Sequence, residues 1–266
     1  MPDRRSQRGP HPSDPRLFAP DQLPALRAAV ADFNWLLSRG YAEKSALELV
    51  GNRYHLTARQ RTAVMRCACA QADGERRRAK QVAVAQLAGQ VIELDGLNVL
   101  VTVEAALAGA VILHGGDGAY RDLCSVHGTY RRVQQTVAAM MHIGEILAEH
   151  RPTLCRWRLD RPVSNSGRLK TTLLETADRR GWNWEADLVA DPDYELARSP
   201  HIVASSDRVV LDRCGRWFNL AREVVDRRAP GAWIVALTGG PITPPTTQPA
   251  TASSSPPPAP PSSPEP

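Results

Sequence analysis

No run of about 18 apolar residues occurs in the 266-residue sequence, so it offers no membrane-spanning helix. The start, MPDRRSQRGPHPSDPR, is basic and has no apolar core, which argues against a secretory leader. Cysteine is poorly placed for cross-linking: Cys67, Cys69, Cys124, Cys155 and Cys214 are odd in number and include no CxxC pair. Neither a disulfide framework nor a zinc knuckle is expected from them. These absences suggest a reducing, cytoplasmic setting without a membrane. Also missing are the GxxxxGK phosphate loop, the GxGxxG dinucleotide fingerprint and the GxSxG nucleophile elbow. Nucleotide triphosphatase, dehydrogenase and serine hydrolase chemistries lose ground accordingly.

The last stretch, PITPPTTQPATASSSPPPAPPSSPEP (241–266), has almost nothing apolar to bury, and residues 1–20 are rich in Pro, Arg and Ser without periodicity. Disorder is expected over 1–20 and 239–266. About 215 residues remain, ample for a core. The formal net charge is +5, with arginines bunched in GERRRAK (74–80), YRRVQQ (130–135) and DRRAPG (226–231). Such bunching suits a polyanionic partner, and suits equally a solvated helical surface.

Residues 21–88 carry a helical pattern. DQLPALRAAVADFNWLLSRGY opens with Asp21 as an N-cap candidate and spaces its apolar residues by three and four until Gly40. AEKSALELVGNRYHL predicts a second helix ended by Gly51, and Thr57 is placed to cap a third, ARQRTAVMRCACAQA. Two readings fit this small helical domain. It is a helix-turn-helix that turns Arg59, Arg61 and Arg66 toward phosphates, or a cap packed on the next domain.

From residue 89 to 238 strand-like and helix-like segments alternate. The strands are VIELD (91–95), AVILH (110–114), LCRWRLD (154–160), WEADLVA (184–190), HIVASSD (201–207) and AWIVAL (232–237). Alternation of this kind predicts an α/β domain built on a mainly parallel sheet with flanking helices. VLVTVEAAL is ambiguous: β-branched residues favour a strand, the need for a crossover favours a helix.

In an open α/β sheet the functional crevice lies outside the carboxyl ends of the strands. Several acids fall there: Asp95, Asp117 in HGGDG, Asp160, Asp191 and Asp207. Acids that converge repel one another, and Mg²⁺ or Mn²⁺ is the usual remedy. A lone Asp after a strand is more commonly a cap or turn residue, the reading that suits Asp191 in ADPDY. For Asp95 the following Gly96 and the polar Asn98 favour a site. Asp207 and Asp212 lie roughly 140° apart on a helix, so one ion need not see both. Glu104, about nine residues on from Asp95 in the helix that follows it, is expected to be structural or to stand behind the metal ligands.

A second group lies in LDRPVSNSGRLK (159–170). Ser164, Asn165 and Ser166 precede a helix that Arg168 and Lys170 enter, with Arg161 beside them. An ordinary capped helix explains the serines but not the crowding of cations; a phosphate site explains both. The loop GGDGAYRDLCSVHGTYRR (115–132) adds Asp117, Arg121, Asp122 and His127, with His114 just ahead, as polar groups at the sheet mouth.

The segment FNWLLSRGYAEKSALELVGNRYHLTARQR resembles the family called domain of unknown function 434. VIELDGLNVLVTVEAAL, DGAYRDLCSVHGTYRR, LDRPVSNSGRL and SSDRVVLD are similar to the domain that accompanies it, and together they span about residues 30–222. The order strand, DGLN, helix and later SSD also resembles PIN and NYN-type nucleases. That resemblance implies an RNA-cleaving site using Mg²⁺ or Mn²⁺, with Asp95 as the first acid, Asp207 a late one and Asp212 a further one. For the middle acid Asp117, Asp122 and Asp160 compete. The expectation is therefore a metal-dependent ribonuclease with Asp95, Asp160 and Asp207 as catalytic acids and Asp117 and Asp212 as further metal positions. Asn98, Arg121, Arg161, Ser164, Asn165, Ser166 and Arg168 are expected to bind substrate. RNA is the expected partner, and a homodimer is allowed. The rival reading is a non-catalytic nucleotide- or RNA-binding module.

Overall fold

The computed structural model describes residues 8–124 and 128–238. His127 and the 239–266 tail lie outside the described residues. The chain begins with a short helix α1 (Asp14–Leu17), then α2 (Leu23–Ser38), α3 (Glu43–Arg53), α4 (Ala58–Cys67) and α5 (Gln71–Lys80). Gly40, at φ +80°, ends α2 in the left-handed conformation that glycine adopts cheaply. Thr57 caps α4 through a reciprocal box with Gln60, whereas α3 runs past Gly51 to Arg53. The charged GERRRAK stretch proves to be part of a fourth full helix, α5.

Two sheets make up the rest of the fold, not one. The remaining elements are β1 (Val91–Asp95), α6 (Gly96–Leu107), β2 (Val111–His114), β3 (Tyr120–Asp122), α7 (Thr136–Glu149), β4 (Leu154–Asp160), α8 (Ser166–Arg180), β5 (Trp184–Val189), α9 (Pro192–Leu196), β6 (Ile202–Ala204), α10 (Arg208–Arg213), β7 (Arg216–Trp217), α11 (Leu220–Arg228) and β8 (Trp233–Ala236). A five-stranded, wholly parallel sheet has the order β5-β4-β1-β6-β7. A smaller sheet, β3-β2-β8, pairs β2 parallel to β8 and antiparallel to β3.

The ambiguous VLVTVEAAL is helix α6, and ten of its twelve residues are buried. Its position explains why. Leu97, Val99, Leu100 and Val103 pack with Ile92, Leu94 and Trp157 of the large sheet, while Ala105 and Ala106 pack with Ile112 and Tyr120 of the small one. A helix apolar on every side is a buried helix, and burial between two sheets overrides the β preference of its valines.

The helices α2 to α4 cover the other face of the small sheet. Leu26, Val30, Phe33, Ala63 and Val64 share one core with Val111, Leu113, Val235 and Leu237, so the helical region is a cap on the α/β part. Two of the arginines placed toward phosphate by the helix-turn-helix reading serve this packing. Arg59 pairs with fully buried Asp14, and Arg61 bonds the Leu56 carbonyl and Asn52 while lying over Gly51. Part of the N-terminal stretch that lacks periodicity is built in as well: Leu17 and Phe18 are buried in this core. Among the described residues no helix is long and apolar enough to cross a membrane.

In the large sheet Ile92, Leu94, Cys155, Trp157 and Leu159 face the core formed with α6, α7 and α8. The opposite face meets α9 and α10, through Leu196, Val203, Val210, Leu211 and Trp217. Connections out of β1 and β4 step toward one edge of the sheet, and the connection out of β6 steps toward the other. The junction of β1 and β6 is therefore the topological switch point, where such sheets open a crevice.

Candidate active site at the carboxyl edge of the large sheet

Asp95 ends β1 at this junction, and Ser205, Ser206 and Asp207 come directly after β6. The two tips are tied together. Ser205 donates from its hydroxyl to the buried Asp95 carboxyl at 2.7 Å, and the Asp207 amide donates to the same hydroxyl at 2.9 Å. Asn98 accepts from both the amide (3.0 Å) and the hydroxyl (2.8 Å) of Ser206. One oxygen of Asp207 caps α10, accepting from the amides of Val209 at 2.7 Å and Val210 at 3.2 Å.

Gly96 matters for space. A Cβ there would stand 2.9 Å from the Arg158 carbonyl oxygen and 2.5 Å from Leu159 Cδ2, so the first turn of α6 lies against β4 only because no side chain intervenes. Gly96→Ala is expected to push α6 off the sheet and cost roughly 1–3 kcal/mol, read as a lower urea midpoint with unchanged slope. An unchanged midpoint would show that the contact relaxes freely.

The electrostatics single out the same place. Burial pushes Asp95 up to about 8; Ser205 opposes the shift, and the charges of Asp193, Asp207 and Asp160 add to it. Asp193, in the first turn of α9, is pushed up to about 6 by partial burial and then by Asp207, Asp160 and Asp191. Asp160 is also raised, first by burial and then by Asp191, against a bond from its own backbone. Perturbation of several acids in one crevice is a mark of functional sites. Asp193 is the acid that sequence reasoning missed. Asp191 caps α9, accepting from the Tyr194 amide at 2.9 Å, and this puts Asp193 over the strand ends. A DPD pair after a strand is the signal that was available.

The other acids are engaged by neighbouring groups. Asp117 is buried and held by Arg121 at 2.9 and 2.7 Å and by Arg77 at 2.8 Å. Asp212 takes a two-pronged bond from Arg77 at 2.7 and 2.8 Å. Guanidinium groups thus neutralise these two of the five expected metal positions. Asp122 accepts from the Thr102 hydroxyl and the Cys124 amide. Arg121 is buried, and its Nε donates to the Ser206 carbonyl at 2.8 Å, bracing the loop. Arg161 donates to the Leu188 carbonyl. Glu104 is structural, as expected: fully buried, it accepts from Tyr130 and Thr136 and pairs with Arg8. His114 stands edge-on to Tyr120. Ser164, Asn165, Ser166 and Arg168 surround the start of α8, where Asn165 and Arg168 line a second cavity.

Beside the acids opens a cleft of about 350 Å³, lined by Asn98, Ser206, Asp207 and Arg208, together with Arg121 and Asp122 and with Met65 and Arg66 of α4. Arg66 donates to the carbonyls of Asp122 and Cys124 and pairs with the Asp122 carboxylate, so the helical cap is tied to the cleft at this point. Carboxylate oxygens are donors whose chemistry suits Mg²⁺ or Mn²⁺. Their spacing is another matter: among the described residues no three His, Cys, Asp or Glu side chains are grouped to hold a metal ion.

Residues 84–223 match the family model described as Domain of unknown function (DUF5616). The chain belongs to that family. Ahead of it, residues 25–80 match the model described as Protein of unknown function (DUF434), a segment that coincides with α2 to α5. Uncharacterized protein MJ0935 of Methanocaldococcus jannaschii is 30% identical over 187 residues, covering 70% of this chain and 89% of that protein. No solved structure matches the chain. The DUF5616 match contains the whole large sheet and every acid of the crevice, whereas β8, which completes the small sheet, lies beyond it.

Proposed function

We propose that this DUF5616 chain is a metal-dependent nuclease that hydrolyses RNA phosphodiester bonds at the carboxyl edge of its large sheet, with Mg²⁺ or Mn²⁺ as cofactor. The observation that supports the reading is the gathering of Asp95, Asp160, Asp193 and Asp207 at the switch point, where burial and mutual repulsion raise the first three. Such a set favours positive charge, a proton in the free protein or a hard divalent cation. When bound, the cation would lower the pKa of a water molecule and offset charge on the phosphate in transit. Asp95 and Asp207 would hold it, with Asp160 and Asp193 completing the set. Asn98, fixed by Ser206, would orient the phosphate, and Arg66 and Arg208 on the cleft wall would counter its charge. RNA is the partner in this reading and a homodimer the assembly, with exposed Trp35, Tyr41 and Leu49 of the cap as apolar surface for it.

The test is cleavage of labelled single-stranded RNA with Mn²⁺ or Mg²⁺, beside EDTA and Asp95→Asn. Cleavage lost in both controls is expected. RNA binding without cleavage under any metal points to the second reading, a non-catalytic nucleotide- or RNA-binding module. That reading is favoured by the lack of three grouped ligands among the described residues and by the use of Asp207 as a helix cap.

A further inference from the structure

Many arginines of this fold are spent on acids: Arg59 on Asp14, Arg77 on Asp117, Arg156 and Arg158 on Glu93, Arg227 and Arg228 on Glu149. Three others behave differently. Arg131, Arg132 and Arg168 line a single cavity of about 480 Å³ with Asn165, Thr136 and Thr172, and no carboxylate is among the lining residues. Among the described residues none of the three guanidinium groups has an acidic partner. Three unneutralised cations around one concave surface of ligand size attract an anion of more than one charge.

The start of α8 points the same way. This 15-residue helix begins after Asn165, which sits at φ +71° and makes no side-chain cap; its amide Nδ2 donates to the Tyr130 carbonyl instead. Among the described residues the first-turn amides of Gly167 and Arg168 have no acceptor outside the helix. Ser166, 1% exposed, keeps a hydroxyl with no hydrogen-bond partner among the described residues. A Cβ at Gly167 would meet nothing within 4 Å, so space is open beside those amides. Helix N-termini with free amides and arginines close by bind phosphate.

We propose that this cavity is a phosphate-binding subsite that takes the backbone of single-stranded RNA, gripped by Arg131, Arg132 and Arg168. This deepens the nuclease reading and rests on it for the identity of the ligand. β4 delivers Asp160 to the sheet edge, and the chain enters α8 six residues later, so a strand seated here runs along the same edge as the acids.

The test is RNA affinity in EDTA, where no metal-dependent cleavage intervenes, measured from about 50 to 200 mM salt. The combined variant Arg131→Ala/Arg132→Ala/Arg168→Ala is compared with one that removes three exposed arginines elsewhere, Arg16→Ala/Arg179→Ala/Arg213→Ala. The cavity variant is expected to melt like the native chain, to lose at least tenfold in affinity, and to lower the slope of log Kd against log salt by about 2, given ~0.7 per phosphate contact on single strands. Equal losses in both variants, native affinity in the cavity variant, or no RNA binding by the native chain overturns the proposal. Competition by a nucleoside diphosphate, with RNA itself binding no tighter than a mononucleotide, also overturns it in favour of a free-nucleotide site. A chain that cleaves RNA but shows no cavity effect refutes the subsite alone; a cavity effect without cleavage refutes only the nuclease reading.

Discussion

Asp95→Asn is expected to melt higher than the native chain at pH 8 and to lose that advantage near pH 4. The unfolded chain releases the Asp95 proton around pH 4, whereas burial, with the charges of Asp193, Asp207 and Asp160, keeps it bound in the folded state to about pH 8. Between those values the folded state holds more protons, so its stability falls as pH rises. At about 1.4 kcal/mol per pH unit the loss reaches on the order of 5 kcal/mol by pH 8, or roughly 10–20 °C in a chain of this size. Asparagine accepts the Ser205 hydrogen bond and carries no charge, so it escapes the loss and also relieves Asp193. Under the proposed function the variant is inactive despite being more stable, and Mn²⁺ raises the melting temperature of the native chain alone at pH 7. Parallel melting curves for the two proteins between pH 4 and pH 8 would mean that the fold does not penalise the Asp95 charge.

The local parts of this design were readable in the sequence. VIELD and LCRWRLD are bounded by turn signals and appear as β1 and β4 to the residue, and their positions in a parallel sheet place Asp95 and Asp160 at one edge. What escaped depended on partners far along the chain. Asp117 and Asp212 look as available as Asp95 until Arg77 arrives, 40 and 135 residues away. The apolar runs of β2 and β8 announce strands but not membership of a second sheet, and nothing short of three-dimensional packing shows that α6 separates the two. β3, three residues inside a polar loop, has too little periodicity to stand out. Leu17 and Phe18 gave no signal within a stretch dominated by Pro and Arg. Asp193 was hidden by its neighbour, since a cap at Asp191 accounts for the turn and draws attention from the acid two residues on.

Arg77→Ala is expected to be the more damaging change, at roughly 3–5 kcal/mol, because it strips a partner from a buried charge. Arg77 is 3% exposed and Asp117 is 1% exposed; burial works against ionised Asp117, yet Arg121 and then Arg77 hold it well below the usual carboxylate range. That contribution to stability is present above about pH 4 and is lost as acid protonates the group, so the native chain should shed stability on acidification more steeply than the variant. Arg77 also joins three parts of the fold: its guanidinium bridges α5 to Asp117 and to Asp212 of α10, and its carbonyl accepts from buried Trp217 at 2.7 Å. Loosening Asp117 reaches the crevice through Arg121, whose Nε holds the Ser206 carbonyl. Asp212→Ala is the internal comparison, since Asp212 is far more exposed than Asp117 and exposed pairs are worth under about 1 kcal/mol. Urea melts in which Arg77→Ala loses no more than Asp212→Ala would assign the joint between cap and sheet to the apolar core shared by Phe33, Val64, Val111 and Val235, with the buried ion pair contributing no net anchor.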